Sequence, residues 1–233
     1  MPNLIPPADW TRIQADLEAR GCAATPSLLS PEECHSLAAL FEADENFRNR
    51  VVMARHGFGQ GEYRYFAYPL PASVQSLREQ LYAVLAPIAN AWAARMNQPS
   101  DFPPTLDAQL ARCHAAGQAR PTPLLLRYGP GDYNCLHQDL YGPMHFPLQL
   151  TVLLSEPGED FQGGEFVPVE QRPRMQSRVE VVPLRQGEGV LFATSQRPVQ
   201  GSRGSYRVTM RHGVSRLQRG ARHTLGIIFH DAA

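Results

Sequence analysis

The part of the chain that begins at Thr122 alternates between short runs of β-forming residues and tight turns. Valine, leucine, phenylalanine and tyrosine are frequent in the runs, and glycine, proline or aspartate separates them. Closely spaced short strands of this kind are typical of a sandwich or a jelly roll. We therefore expect about eight strands in this region, packed as two sheets around one core.

The first 120 residues show a different pattern. Apolar residues recur at helical spacing in three stretches, which are residues 8–20, 73–97 and 105–116. The chain is therefore predicted to belong to the α+β class. We expect one domain over residues 1–233, in which a mainly helical N-terminal layer, 1–120, packs on a β core, 121–233.

Residues 47–71 interrupt the helical half of the chain. This segment mixes arginine, glycine and aromatic residues, and it alternates like a strand around Tyr63 and Tyr65. Two interpretations are open, a β-hairpin or a flexible loop that contacts a substrate. The two tyrosines accordingly either contact a substrate or pack in the core.

The charge distribution is more informative than the total charge. The formal net charge is zero, so total charge identifies no partner. All 22 basic residues are arginine, and eleven of them lie between Gln171 and Arg222, where Glu180 and Glu188 are the two acidic residues. This local excess indicates either a solvated basic face or a binding site for an anionic partner.

Cysteine spacing and hydropathy indicate the cellular setting. The four cysteines are irregularly spaced and form no CxxC pair, which favours a reduced, cytoplasmic protein. The N-terminal residues 1–10 lack the basic and apolar blocks of a signal peptide. The longest nearly apolar run, Leu81 to Ala94, is too short to span a bilayer, so no membrane partner is expected.

His137 and Asp139 are one residue apart in a segment whose composition predicts a strand. Because successive side chains of a strand point to opposite faces, both should project from the same face. An HxD pair alone is weak evidence, since eight histidines and 22 acidic residues make such a pair common by chance. Two ligands of one metal ion and two unrelated polar residues are both open at this point.

Two further residues strengthen the metal hypothesis. His212 lies at the end of another predicted strand, and two histidines with one carboxylate form a set that binds Fe(II) and leaves positions open for substrates and O₂. Arg222 follows His212 by ten residues and begins the last predicted strand. Its guanidinium can bind a carboxylate there through two parallel hydrogen bonds.

Together these motifs resemble those of the Fe(II)/2-oxoglutarate-dependent oxygenases of the prolyl-4-hydroxylase-like branch. That family has HxD, then a distal histidine and a basic residue about ten positions later within HxV…GxR. This chain has HQD, HGV and GAR in the same order. LRYGPGDYNCLHQD resembles the tyrosine strand of the family, and FQGGEFVPV resembles its GGE hairpin. The resemblance covers about Leu124 to Asp231.

The resemblance implies a double-stranded β-helix, or jelly roll, and an oxygenase reaction that releases succinate and CO₂. It implies Fe(II) as the metal, with 2-oxoglutarate and O₂ as co-substrates. The expected iron ligands are His137, Asp139 and His212. Arg222 would bind the distal carboxylate of 2-oxoglutarate, and Tyr128 and Thr224 would add further contacts to this co-substrate.

The arginine-rich segment before His212 resembles a small prokaryotic oxygenase family predicted to act oxidatively on alkylated nucleic acid. The chain departs from the nucleic-acid demethylases at Leu126, where they carry asparagine. Arginines that contact phosphate and aromatic rings that stack on a flipped base suit this substrate class. The candidate substrate contacts are Arg203, Arg207, Tyr63 and Tyr65.

Other substrate classes remain open. In an alternating strand Arg203, Arg207 and Arg211 share the face opposite His212, where they could equally form internal ion pairs. A protein or peptide substrate would make the chain a prolyl-hydroxylase-like hydroxylase, and a small-molecule substrate is a further alternative. A non-catalytic sensor of iron or 2-oxoglutarate has no need to keep both histidines, the aspartate and the arginine, which argues against it.

Overall fold

The computed structural model describes residues 5–99 and 101–233. Residues 1–4, part of the N-terminal stretch considered above for a signal peptide, lie outside the described residues. The α-helices of the described residues are α1 (Pro7–Arg20), α2 (Pro31–Ala39), α3 (Ala72–Arg95) and α4 (Leu106–Ala115). The helices predicted at 8–20, 73–97 and 105–116 are therefore confirmed.

The helix limits follow from local capping chemistry. Gly21 ends α1 in the left-handed conformation, with φ of 73°. Ser30 and Glu33 form a reciprocal capping box that begins α2: each side chain accepts a hydrogen bond from the backbone N–H of the other. The Thr105 hydroxyl accepts from the backbone N–H of Ala108 and begins α4 in the same way.

The strands of the described residues are β1 (Cys22–Ser27), β2 (Phe47–Val52), β3 (Gly59–Gln60), β4 (Glu62–Phe66), β5 (Leu124–Tyr128), β6 (Tyr133–His137), β7 (Leu148–Leu153), β8 (Phe161–Gly163), β9 (Phe166–Gln171), β10 (Arg178–Val179), β11 (Glu188–Ala193), β12 (Gln196–Gly201), β13 (Gly204–Val214), β14 (Leu217–Gly220) and β15 (Arg222–Ile228). Eleven of them, β5 to β15, follow Thr122, rather than the eight expected. Very short strands, such as β8 with three residues and β14 with four, carry too little pattern to be recognised in the sequence.

A seven-stranded antiparallel sheet forms one wall of the jelly roll, in the order β1-β11-β7-β15-β5-β4-β2. Three of its strands, β1, β2 and β4, come from the first 120 residues, so this half of the chain is not only a helical layer. Of the two interpretations of residues 47–71, the structure has the hairpin, since β2 pairs with β4 and β4 pairs with β5.

A six-stranded sheet forms the opposite wall, with β10-β9-β13-β6-β3 as neighbours and β12 paired to β13. The long strand β13 has two sets of partners. Its first half forms a hairpin with β12, and its second half, which ends near His212, lies between β9 and β6. The remaining strands β8 and β14 pair with each other.

Helix α3 packs its apolar side on the core and also anchors the end of the chain. Leu77, Leu81 and Trp92 of this helix are buried in the main core. Arg78 is fully buried, donates to the carbonyl of Ile228 over 2.8 Å and pairs with Asp231 at 2.8 Å. These contacts hold the C-terminal end of β15 against α3. Among the described helices, none has the length and apolar character needed to cross a membrane.

Candidate active site

The two larger sheets enclose a cavity of about 340 Å³. Thr224 and Tyr128 line it from the seven-stranded sheet, and His137 and His212 line it from the six-stranded sheet. The cavity contains every residue that the sequence predicted for iron and 2-oxoglutarate, together with two of the four substrate candidates: His137, Asp139, His212, Arg222, Tyr128, Thr224, Tyr63 and Tyr65.

Three of these side chains form a group that could hold a metal ion. His212 of β13 lies directly opposite His137 of β6, and Asp139 follows two residues later. One ligand atom from each residue lies within 4.8 Å of the other two. The Asp139 carboxylate lies between the histidines, 3.5 Å from Nε2 of His137 and 3.3 Å from Nε2 of His212.

The reason for this convergence differs from the sequence argument. Strand β6 ends at His137, so Asp139 lies beyond the strand and its direction is not set by strand alternation. The side chain of Gln138, between them, instead donates to the carbonyl groups of Ser195 and Met210. These bonds hold the irregular segment after β6 in place, with the Asp139 carboxylate beside the two histidines.

The environment of His137 leaves its second ring nitrogen free. Nδ1 lies 2.8 Å from the carbonyl oxygen of Cys135. Because a carbonyl only accepts hydrogen bonds, Nδ1 is the donor in this contact, and Nε2 is the ring nitrogen that faces Asp139. His212 is held differently: its ring packs 4.5 Å from the ring of Phe192 and 5.8 Å from that of Phe166. Both imidazoles thus present Nε2 to the carboxylate.

The electrostatics keep this group in the form that binds metal. Burial alone would raise the pKa of Asp139, but its hydrogen bond to His212, the nearby His137 and the Tyr141 hydroxyl hold that pKa well below its usual range. Burial lowers the pKa of His212, which favours its neutral form. One carboxylate and two imidazoles form the donor set that suits Fe(II).

A buried arginine lies at the other end of the cavity. Arg222 of β15 is 2% exposed and pairs in register with Tyr128 of β5. Nε and Nη1 of Arg222 and the Tyr128 hydroxyl have no hydrogen-bond partner among the described residues. Burial lowers the pKa of Arg222 to about 10, so the guanidinium remains charged at neutral pH. A buried cation with unengaged donors fits the carboxylate of a dicarboxylic acid such as 2-oxoglutarate.

Thr224 and His223 show how β15 distributes its side chains. Thr224, two residues after Arg222, is buried and faces the same cavity. His223 points away from it, and its ring lies 6.0 Å from that of Phe41. His223 therefore lies outside the metal-binding group.

Tyr141 and Gln149 are among the cavity residues that sequence reasoning did not single out. Tyr141 donates to Asp139 over 2.8 Å and accepts a hydrogen bond from the Tyr65 hydroxyl at 3.0 Å. Gln149 of β7 is buried and faces the cavity from the seven-stranded sheet. The position of Tyr141 two residues after Asp139 was a usable signal. Gln149 and Thr151 alternate with apolar residues in β7, which indicates a polar face of the strand but not the site that it faces.

The arginine candidates lie outside the cavity, and they differ from one another. Arg207 and Arg211 are exposed, on the face of β13 opposite His212, as predicted. Arg203 lies in the turn between β12 and β13, so its expected place on the same strand face is wrong. Arg197 is fully buried, pairs with Glu170 and donates to the carbonyl groups of Glu18 and Ala19. Its role is structural, because it links the sheet to α1.

A comparison with known families decides the class of the protein. The family model Oxygenase-NA, described as an oxygenase catalysing oxidative methylation of damaged DNA, matches residues 61–232. The chain belongs to this oxygenase family. Two relatives come from Mycobacterium tuberculosis: the uncharacterized protein Rv2227 of strain H37Rv and the uncharacterized protein MT2286 of strain CDC 1551. Each is 50% identical to this chain over 168 residues, which is 72% of this chain and 72% of the relative.

Solved structures of similar shape agree with the predicted fold of this oxygenase. A 2OG-Fe(II) oxygenase-family oxidoreductase from Burkholderia pseudomallei has a TM-score of 0.55 at 16% identity, covering 98% of this chain and 95% of that one. A prolyl-4-hydroxylase from Pseudomonas putida has a TM-score of 0.52 at 14% identity, covering 95% of this chain and 98% of that one. The fold is the double-stranded β-helix. The protein is a dioxygenase that depends on Fe(II), 2-oxoglutarate and O₂.

Proposed function

We propose that His137, Asp139 and His212 bind the Fe(II), and that Arg222 and Tyr128 bind 2-oxoglutarate. The observation that carries this proposal is the presence, in one cavity, of a three-residue metal-binding group and a buried arginine with unengaged donors. A buried guanidinium is unfavourable unless an anion neutralises it. Bound 2-oxoglutarate supplies that anion, and Thr224 is close enough along β15 to add a contact.

The residues of the cavity bind and orient the reactants. When bound, Fe(II) and 2-oxoglutarate supply the oxidation of the substrate, with release of succinate and CO₂. Phe166 and Phe192 pack on the His212 ring and exclude water from that side of the site. The Tyr141 hydroxyl directs its proton to Asp139 and so holds the carboxylate in place.

The proposed substrate is alkylated DNA or RNA, and the proposed role is DNA repair. The family description names damaged DNA. Arg172 and Arg178 pair with Glu170, whereas Arg207 and Arg211, which are exposed, form no ion pair with a described residue. Exposed arginines without an ion-pair partner suit phosphate contacts, and a cavity with aromatic walls suits an extruded base.

In this proposal the reaction removes a methyl group from nitrogen. One oxygen atom of O₂ enters the methyl group, which leaves as formaldehyde and restores the N–H. The other oxygen atom enters succinate as 2-oxoglutarate loses CO₂. The four cysteines are free in the structure, which supports a reducing, cytoplasmic setting for this activity.

A substrate screen tests the proposal. Single- and double-stranded oligonucleotides that carry N-methylated bases are incubated with Fe(II), 2-oxoglutarate and O₂, and the products are identified by mass spectrometry. We expect loss of the methyl group with an equal amount of succinate. The His212→Ala variant serves as the control and should form neither product.

A second candidate function is hydroxylation of a protein or peptide. The likeness in fold to the Pseudomonas putida prolyl-4-hydroxylase favours it. In that reaction one oxygen atom of O₂ converts a C–H bond to C–OH and the other again enters succinate. Peptide libraries added to the same screen separate the two candidates. A hydroxylated peptide and no oligonucleotide product would replace the nucleic-acid proposal.

A further inference from the structure

We infer that Gln149 reads the polar edge of the substrate group that lies beside the metal-binding residues. Gln149 is then a specificity-determining residue of the cavity. This inference rests on the proposed function. It restricts the substrate group to a ring with polar atoms at its edge. Neither the metal-binding group nor the arginine end of the cavity requires this residue. Three observations support the assignment.

The first observation is the hydrogen-bonding state of Gln149. The residue is 3% exposed and faces the cavity from β7. Its amide nitrogen is buried and has no hydrogen-bond partner among the described residues. Burying an unpaired amide is unfavourable, and the great majority of buried side-chain polar atoms have a partner. A bound ligand that pairs with the amide explains why this buried nitrogen has no partner within the protein.

The second observation is the level of Gln149 along the cavity. It pairs in register with Phe192 on one side and with Ile228 on the other. Its register neighbour Phe192 packs with its ring 4.5 Å from the His212 ring, so Gln149 lies on the cavity wall that adjoins the metal-binding group, on the side away from Arg222. Arg222 is six residues from Ile228 along β15, which is about 20 Å of strand. A five-carbon dicarboxylate anchored on Arg222 extends over only part of that length.

The third observation is the surface around Gln149. Tyr65, Leu124 and Ile228 form an apolar cluster against which Tyr63 and Tyr141 pack. The Tyr65 hydroxyl is engaged by Tyr141, and the Tyr141 hydroxyl by Asp139. The Gln149 amide is therefore available to bind a ligand, whereas both hydroxyl groups already have hydrogen-bond partners.

A nucleobase matches this surface. The flat aromatic walls can contact its faces, and a primary amide offers a donor and an acceptor side by side to its edge. Glutamine reads adenine in duplex DNA with the same pair of groups. An aliphatic side chain would leave the amide unpaired.

The test uses the full-length enzyme and single-stranded oligonucleotides that each carry one N-methylated base. We expect Gln149→Leu to raise the KM for the preferred oligonucleotide roughly tenfold or more, since it removes both polar groups. Ionised carboxylate only accepts hydrogen bonds, so Gln149→Glu should change the ranking of the methylated bases. Gln171→Leu, an exposed glutamine outside the cavity, is the matched control and should behave as wild type.

Two substrate-independent measurements complete the test. The KM for 2-oxoglutarate in turnover without oligonucleotide and the Kd for Fe(II) should stay within about twofold of wild type, because neither ligand is anchored on Gln149. A tenfold rise in the KM for 2-oxoglutarate would assign Gln149 to the co-substrate and overturn the inference. An unchanged KM for the oligonucleotide would overturn it as well.

The outcomes also separate this inference from the proposed function. If the wild type converts no oligonucleotide, the proposed function fails and the inference fails with it. If the wild type is active and Gln149→Leu is unaffected, only the inference fails. A melting curve accompanies each variant, and Gln149→Asn, which keeps the amide on a shorter side chain, replaces Gln149→Leu if the latter does not fold.

Discussion

The Tyr141 hydroxyl donates a hydrogen bond to Oδ1 of Asp139 over 2.8 Å, and Oδ2 is the carboxylate oxygen that lies 3.3 Å from Nε2 of His212. The Tyr65 hydroxyl in turn donates to Tyr141 over 3.0 Å. The bond to Oδ1 orients the carboxylate and leaves the lone pairs of Oδ2 free for a metal ion. A strand from the N-terminal half of the chain thus supports a proposed iron ligand from the C-terminal half.

Tyr141→Phe should weaken Fe(II) binding by roughly 10- to 100-fold, the usual effect of losing a group that orients a metal ligand. The Kd is measured by anaerobic titration of the apoprotein. Tyr206→Phe, which changes an exposed tyrosine on β13, is the control. An unchanged Kd for Tyr141→Phe would show that Asp139 is oriented without this hydroxyl.

His212→Ala should abolish turnover and lower the iron content of the purified protein, because it removes one of three proposed ligands. Iron is measured by a chelator assay and turnover by succinate release. His223→Ala is the control. His223 lies on the face of β15 that points away from the cavity, so this variant should retain iron and turnover. Full succinate production by His212→Ala would contradict the ligand assignment.

Arg222→Ala should raise the KM for 2-oxoglutarate far more than the Kd for Fe(II). The lost charged contact should cost about 2–4 kcal/mol, because it also leaves a buried carboxylate without a partner. Arg219→Ala is the matched control, since Arg219 is exposed and lies three residues earlier. If the 2-oxoglutarate titration of Arg222→Ala matches that of wild type, another residue binds the distal carboxylate, with Arg216 or Arg219 as the next candidates.

Arg203→Gln combined with Arg207→Gln should weaken oligonucleotide binding and flatten its salt dependence. Each lost phosphate contact should reduce the slope of log K against log salt by about 1. Fluorescence anisotropy measures binding, and a melting curve checks folding. A double variant of Arg12 and Arg20, exposed on α1 and paired with Asp16, is the control. Absence of any binding by wild type at about 50 mM salt would redirect the search to protein substrates.

Arg197→Met should destabilise the fold by about 3–5 kcal/mol, because it leaves the buried Glu170 without its buried partner. Chemical denaturation measures the free energy of unfolding. Adding Glu170→Gln should restore part of the loss, since the uncompensated charge disappears. A single variant as stable as wild type would show that Arg172 and Arg178, which also pair with Glu170, suffice for its charge.

Local patterns predicted the parts of the structure that depend on local chemistry. The helices follow from apolar spacing and caps, and the side chains of β15 alternate as expected, with Arg222 and Thr224 toward the cavity and His223 away from it. The residues His137 and Asp139 were identified correctly as neighbours in space, but for the wrong reason. Asp139 lies in an irregular segment that Gln138 anchors, and such a segment has no periodic signal.

Long-range contacts account for what the sequence could not show. Arg197 and Arg207 look alike in the sequence, yet Arg197 is buried against the carbonyl groups at the end of α1 and Arg207 is exposed. The difference depends on how α1 packs, which no local pattern encodes. The role of Gln149 could not be predicted for a similar reason, because it depends on the positions of Phe192 and His212, which lie on distant strands.

The order of the seven-stranded sheet has a consequence for the handling of this protein. Both edge strands, β1 and β2, come from the first 52 residues, while β11 and β4 lie immediately inside them. Uncapped sheet edges pair with those of other molecules and promote aggregation. A fragment trimmed to the jelly-roll half, residues 121–233, would therefore expose the backbone hydrogen-bonding groups of β11 and β5. The N-terminal half covers these groups and so protects the sheet from pairing with other molecules.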